Sequence, residues 1–393
     1  MKVKNFLKGK GVIYGFMAGA LVVLLLLAGL PACAPAAEEE VVYDEYVASL
    51  PEGCLPVPQD CFDQAMEEGQ LNIYDWAEWW PEEIYTDFAE EYGLEIARDN
   101  YSDYDEVVAK FQLNPDTAYD MITGLAGRDL FRLQGVGVIQ EINYDWVPNA
   151  REYIYDRFTE MEFDPGAKYG IFSGYSYITY GYNAEYVDDP RIPSLAVLLE
   201  PDEKYKGRIT MIDDMFLTIG IALQYLGYPI DSDDEAELME AKELLLAQKP
   251  YVMAYDWWPK RAILEGETWI AHLGIGDLWS VHSELGSMQA AATPPEGARM
   301  AQEIMAIPIG SPHPAVAHLW MDYIQRPQIN ALLCNGIGYT PCNRAAAQYM
   351  DEDVREWIAV PESYLDKIQP VLKRGYSGKG LELRTQIWEE LKG

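Results

Sequence analysis

From Gln70 onward, short apolar runs of strand length alternate with amphipathic segments of helical period, an order that few folds satisfy. Leu71-Asn72-Ile73-Tyr74 reads as a buried strand. Pro81 to Tyr92 reads as a helix: proline suits a first turn, acids follow it, and Ile84, Phe88 and Tyr92 recur every four residues. Leu94 to Ala97 is a second strand, and Asp103 to Gln112 a second helix with Val107, Val108 and Phe111 on one face. Tyr119 to Thr123 is a third strand. This βαβαβ run predicts a mostly parallel sheet with helices on its faces. The pattern returns with a strand over Gly207–Ile212, helices over Met215–Leu226 and Ala236–Leu246, and strands over Trp269–Ile275 and Glu303–Pro308. Helices over Pro314–Ile324, Gln328–Cys334 and Leu381–Leu391 complete the chain. The order predicts two α/β lobes joined by crossing strands, with a ligand cleft at the carboxyl ends of strands.

The chain opens with an address. Lys2, Lys4, Lys8 and Lys10 form a basic region, Val12 to Leu30 is apolar, and Leu30-Pro31-Ala32-Cys33 follows. A basic start, an apolar core and small residues after it mark a secretory signal. A thiol at its end favours a lipoprotein signal over residues 1–32, with lipid on Cys33. Pro31 inside the motif leaves an uncleaved anchor open, because about 20 apolar residues can span a bilayer. Either way the body is expected outside the cytoplasm, in the periplasm or on the outer face of the membrane. Residues 33–69 are expected to be a lipidated tether and N-terminal extension, flexible and acidic to about residue 50.

Twenty-nine basic against 64 acidic residues give a net charge of −35, and cleavage before Cys33 would remove four more lysines and no acid. Such a surface repels nucleic acid and anionic lipid, so nucleic acid is not an expected partner. It permits a cationic ligand without requiring one, since a solvated acidic surface accounts for the same count. Eleven Trp and 28 Tyr outnumber 10 Phe, favouring the aromatics that combine a flat face with a polar edge. Besides Cys33 there are two local cysteine pairs, Cys54 with Cys61 and Cys334 with Cys342. Four cysteines allow three connectivities; an oxidising compartment permits bridges, and proximity favours the local ones. A metal site is disfavoured because no histidine lies near either pair.

Catalytic signatures are missing. Gly124-Leu125-Ala126-Gly127 lacks the Lys-Ser/Thr of a phosphate-cradling loop. Ser173-Gly174 lacks the rest of a nucleophile elbow. His272, His282, His313 and His318 have no metal-ligand spacing. No enzyme activity, cofactor or metal is therefore expected.

Leu71-Asn72-Ile73-Tyr74-Asp75-Trp76-Ala77-Glu78-Trp79 resembles the opening of the spermidine/putrescine-binding proteins of ABC importers. The likeness continues in order through Tyr119-Asp120-Met121-Ile122, Gly135 to Gln140, Lys206-Gly207-Arg208 with Asp213-Asp214, Glu265-Gly266-Glu267, Met305 to Pro308 and Gly338-Tyr339-Thr340-Pro341. It implies the two-lobed periplasmic-binding-protein fold (type II), with residues 70–177 and 303–341 in lobe 1 and 178–302 and 342–393 in lobe 2. It implies a monomer that hands a polyamine-like cation to ABC permease subunits. Trp76, Glu78 and Trp79 fall on the family's first binding turn, Asp214 and Glu303 on its amine-gripping acids, and Tyr339 on its late tyrosine. A buried ammonium needs an opposite charge, and each aromatic face over it adds about 0.5–2 kcal/mol.

The departures are equally specific. The family's aromatic after the third strand falls at Ala126 or Gly127, its second acid at Leu217, two tryptophans near Gly274 and Ala301, and a late glutamine near Gly378. Asp256 with Trp257, and Tyr175 with Tyr177 at the lobe crossing, stand as replacements. Without the resemblance, Trp76 and Trp79 read as core aromatics, Glu78 as a first-turn acid, Asp213 or Asp214 as a helix cap, and Tyr339 as loop packing. Binding of ferric iron or another organic molecule, or a non-transporting sensor lipoprotein, is the alternative function.

Overall fold

The first strand shows how the alternation becomes a sheet. In the computed structural model, which describes residues 41–77, 79–102, 104–369 and 378–393, β1 (Gln70–Trp76) buries Leu71, Ile73 and Tyr74. It pairs in parallel with β2 (Glu95–Tyr101) and with β3 (Met121–Leu125). The helix Glu82–Tyr92 connects β1 to β2 and buries Ile84, Phe88 and Tyr92, the residues spaced by four. β4 (Gly170–Asn183) then runs 14 residues, buried along nearly its whole length. A second parallel set follows, with β5 (Ile209–Met211) between β6 (Val252–Tyr255) and β7 (Ile270–Gly274). β8 (Met288–Ala290) edges β4, and β9 (Ala298–Ala306) returns beside it. β10 (Thr340–Pro341) pairs with β4, and β11 (Ile368–Gln369) with β9.

The strand order is β2-β1-β3-β9-β4-β7-β5-β6. Both parallel sets are joined through β9 and β4, which run antiparallel to each other and to their outer neighbours β3 and β7. The fold is therefore the two-lobed α/β fold. Each parallel set has its own apolar packing. Trp320 of the helix Pro314–Ile324 stacks on Tyr85 at 5.4 Å and Trp80 at 6.3 Å beneath β1. Around β5, Ile209, Met211, Leu223, Leu238, Leu245, Ile387 and Leu391 form a second cluster. Burying each side chain of this size is worth about 1.5–3 kcal/mol.

Two expectations are corrected. Residues 41–50 are not a loose stalk: Tyr43–Ser49 is helical, and Tyr46 is buried, stacked on Phe62 at 4.9 Å. Tyr43 helps hold this short helix against the body, its ring edge-on to Phe62 at 5.4 Å and its hydroxyl donating to the Val57 carbonyl at 2.8 Å, and composition alone hides it. The four cysteines form no bridge; all are free thiols. Cys54 donates to Gln328 Oε1 at 3.4 Å, Cys61 lies 4.0 Å from the Ala315 carbonyl, and Cys334 lies 4.0 Å from the Ser173 carbonyl. Proximity in sequence did not become a bridge: Cys54, Cys61 and Cys334 each pack against a different neighbouring element. The signal segment and Cys33 lie outside the described residues. Among the described residues, no helix is long and apolar enough to cross a membrane.

Candidate functional site

Strand ends assemble the site. Trp76 ends β1, Ala126 follows β3, Ile212 follows β5, Trp257 lies just past β6, and Gly274 ends β7; all line one cleft of about 520 Å³. Arg299, Ala301 and Glu303 reach it from β9. This is the crevice at the carboxyl ends of strands that an open α/β sheet provides.

Glu303 is buried in the cleft wall at 4% exposure. Its Oε1 accepts the Trp80 indole N–H at 2.8 Å, and the Trp79 indole donates as well. Burial pushes its carboxyl up to about 8; the charge of Asp75 adds to this, and the indole donors oppose it. Asp75 is itself buried, accepts the Tyr85 and Thr123 hydroxyls, and is raised by burial. No described lysine or arginine forms an ion pair with Glu303. Gly124, at φ +74°, lets the backbone pass close by: a Cβ there would stand 2.9 Å from the Trp76 Cβ and 3.1 Å from the Tyr101 hydroxyl.

Aromatic rings frame this acid. Trp76 meets Tyr101 edge-on at 5.2 Å and faces Trp257 of the other lobe at 6.4 Å. Trp79 meets Tyr339 edge-on at 5.7 Å. Tyr339 is placed by Gly338, whose left-handed φ of +63° ends the helix Pro327–Ile337, and by the pairing of Thr340 with Tyr175.

Asp214 has a different environment from Glu303. Its Oδ1 accepts the Leu217 N–H at 2.8 Å, capping the helix Met215–Tyr225. Its Oδ2 receives both terminal nitrogens of Arg128 at 3.3 Å. Burial raises this carboxyl, but the Arg128 and Arg299 guanidiniums and the capped N–H groups outweigh it and hold it below the usual range. Asp277, at the start of the helix Ile275–His282, is the third acid lining the cleft. Burial pushes it up to about 7 against the Gly274 N–H at 3.2 Å.

The cleft thus gathers Trp76, Trp79, Asp214, Trp257, Glu303 and Tyr339. Glu78 lies outside the described residues. Asp256 stands off the cleft, exposed, with its Oδ1 accepting the Trp258 N–H at 2.9 Å. Tyr175 and Tyr177 line a separate cavity of about 650 Å³, where the Tyr175 hydroxyl accepts from Arg157 at 2.6 Å. In register Tyr175 pairs with Gln302 and Tyr177 with Met300 on β9. Of the positions where family features are missing, Ala126, Leu217, Gly274 and Ala301 line the cleft, and Gly378 does not. Sequence reasoning missed Arg128, Asp277 and Arg299. Each lies two or three residues from one of those positions, so a search widened by one helical turn or one strand period would have met them. Among the described residues, no three His, Cys, Asp or Glu side chains are grouped to hold a metal ion.

Two α/β lobes and an acid-and-indole cleft at their strand ends define a solute-binding protein. The chain belongs to the bacterial extracellular solute-binding protein family, whose model matches residues 83–362. It is 26% identical to the putrescine/cadaverine-binding protein of Pseudomonas aeruginosa over 84% of this chain and 95% of that one. It is 26% identical to the spermidine/putrescine-binding periplasmic protein of Escherichia coli over 74% and 82%. Among solved structures, the TpPotD lipoprotein of Treponema pallidum superposes with a TM-score of 0.73 at 18% identity, covering 82% of this chain and 99% of that one. The spermidine/putrescine ABC transporter substrate-binding protein PotD of Streptococcus pneumoniae gives 0.70 at 20% identity, with the same coverage. At such identities the structural likeness establishes the fold.

Proposed function

We propose that this chain is the capture component of an ABC importer, held at the outer membrane face by lipid on Cys33, and that it takes an amine between its lobes. Polyamines are the amines named for its relatives. The observation that carries this reading is Glu303, a buried acid whose described partners are two indole N–H groups, framed by rings at the strand ends. A ligand ammonium would supply the missing opposite charge, with rings against its methylenes. The lobes divide where β4 and β9 cross, near Tyr177 and Glu303, and closure about those strands would bury the ligand. Calorimetric titration of the purified chain with putrescine, cadaverine, spermidine and their mono-amine analogues tests it. Heat with saturation supports amine capture; silence from every amine removes it. Palmitate labelling that disappears in Cys33→Ser tests the anchor.

A further inference from the structure

The cavity of about 650 Å³ lies against β4, apart from the amine cleft. Tyr175 and Tyr177, two apart on that strand, share one face and line it, while Ile178, on the other face, lines the cleft. Segment 155–157 and Arg344 wall it, and an Arg344 terminal nitrogen donates to the Ile154 carbonyl at 2.8 Å. So do the helix Glu352–Ile358 and the residues after it, fixed where the Trp357 indole donates to the Ile275 carbonyl at 3.0 Å. A cavity of this size suits a small organic ligand.

In a chain with 64 acidic against 29 basic residues, the charge here is reversed. The charged residues of the lining are Arg157, Arg344, Arg355, Asp156 and Glu362. Arg344 and Asp156 pair at 3.2 Å. Arg157, Arg355 and Glu362 form no ion pair among the described residues, which leaves one positive charge in excess. Arg157 is held in place without being neutralised. It donates to the Tyr175 hydroxyl at 2.6 Å and lies 4.7 Å from the Phe158 ring centre and 4.9 Å from that of Tyr175. A guanidinium fixed on rings keeps N–H groups for a carboxylate and loses little freedom in binding one. Tyr177 is 1% exposed, and its hydroxyl has no partner among the described residues, an unmade bond that costs about 1–3 kcal/mol. Met350, Ile358, Val360, Leu365 and Ile368 add an apolar wall. We infer that this cavity is a second ligand site, for a small monocarboxylate on an apolar body, with the carboxylate at Arg157 and the body against that wall. Glu362 disfavours a second negative charge on the ligand. The site does not depend on what the cleft binds.

The test is calorimetry on the full chain in detergent, against a detergent blank, with 3-phenylpropanoate, hexanoate, their amides and acetate. At least one of the two apolar acids is expected to saturate with a Kd below about 1 mM. That acid is expected to bind tenfold or more tighter than its own amide and than acetate. Arg157→Met is expected to weaken it tenfold or more, and Glu303→Gln to leave it within twofold. If Arg157→Met does not melt cooperatively, Arg157→Lys is read instead, with a loss of threefold or more expected because the fork is gone. Silence from both acids overturns the inference, as does an amide or acetate that binds as tightly as the acid. An Arg157 variant that melts cooperatively and keeps the affinity overturns it too. Loss of acid binding in Glu303→Gln would place the acids in the cleft, and so overturns it as well.

Discussion

At the scale of single residues, the behaviour of the cleft turns on Glu303. Its carboxyl sits near 8 while the cleft is empty, facing Asp75, Trp79 and Trp80. A ligand ammonium favours the ionised form, so binding at neutral pH should expel a proton. Affinity should rise with pH from about 5 and level off above 8. Calorimetry at pH 7 in buffers of different ionisation heat reads this directly, and heats that do not vary with buffer would refute it. In the empty protein the sign is opposite. The folded state holds this proton more tightly than the unfolded chain, so Glu303 makes the fold less stable as pH climbs from about 4.5 to about 8. Glu303→Gln should keep the fold and lower amine affinity by roughly 10- to 100-fold, corresponding to about 1.5–3 kcal/mol for a charged hydrogen bond. Gly124→Ala strains a left-handed backbone and drives a methyl toward Trp76. Its expected cost is about 1–3 kcal/mol in urea unfolding, with weaker binding as Trp76 shifts.

At the scale of elements, helices and buried strands with one clear period were legible. The helix over Pro314–Ile324 matches residue for residue, and Met215–Tyr225 differs from its expectation by one residue at its end. β4 was not legible as a strand. Its run from Gly170 to Asn183 is buried on both faces, so no alternation of polar and apolar residues marks it. β9 begins five residues before its expected start, because Ala298, Arg299, Ala301 and Gln302 carry no strand pattern of their own and are held by pairing with β4 and burial. The Tyr43–Ser49 helix shows the same dependence on context. Tyr46→Ala should cost about 3–5 kcal/mol, measurable by urea denaturation, because the ring it removes is packed in the core. A loss below 1 kcal/mol would return this segment to the tether.

At the scale of the whole molecule, the two lobes meet across side chains, and ligand binding should tie them together. At a ligand concentration of 100 times Kd the folded protein should gain about 2.7 kcal/mol, seen as a higher melting temperature. X-ray scattering should show a smaller radius of gyration on saturation, and an unchanged radius with a proven ligand would contradict closure about β4 and β9. The acidic surface acts at longer range. With a net charge of −35, association of a diamine should slow as salt is added.

The sequence alone determined the α/β class, the order of most elements and the positions around which the cleft forms. These depend on local period and composition, which survive without neighbours. Tertiary structure decided which acid has an arginine beside it and which has indoles. Asp214 and Glu303 look alike in the sequence, each acidic and at the end of an expected strand or just past it. Only folding brings Arg128 from the other lobe to Asp214 and leaves Glu303 among indoles, because charge pairing depends on distances between residues far apart in the chain.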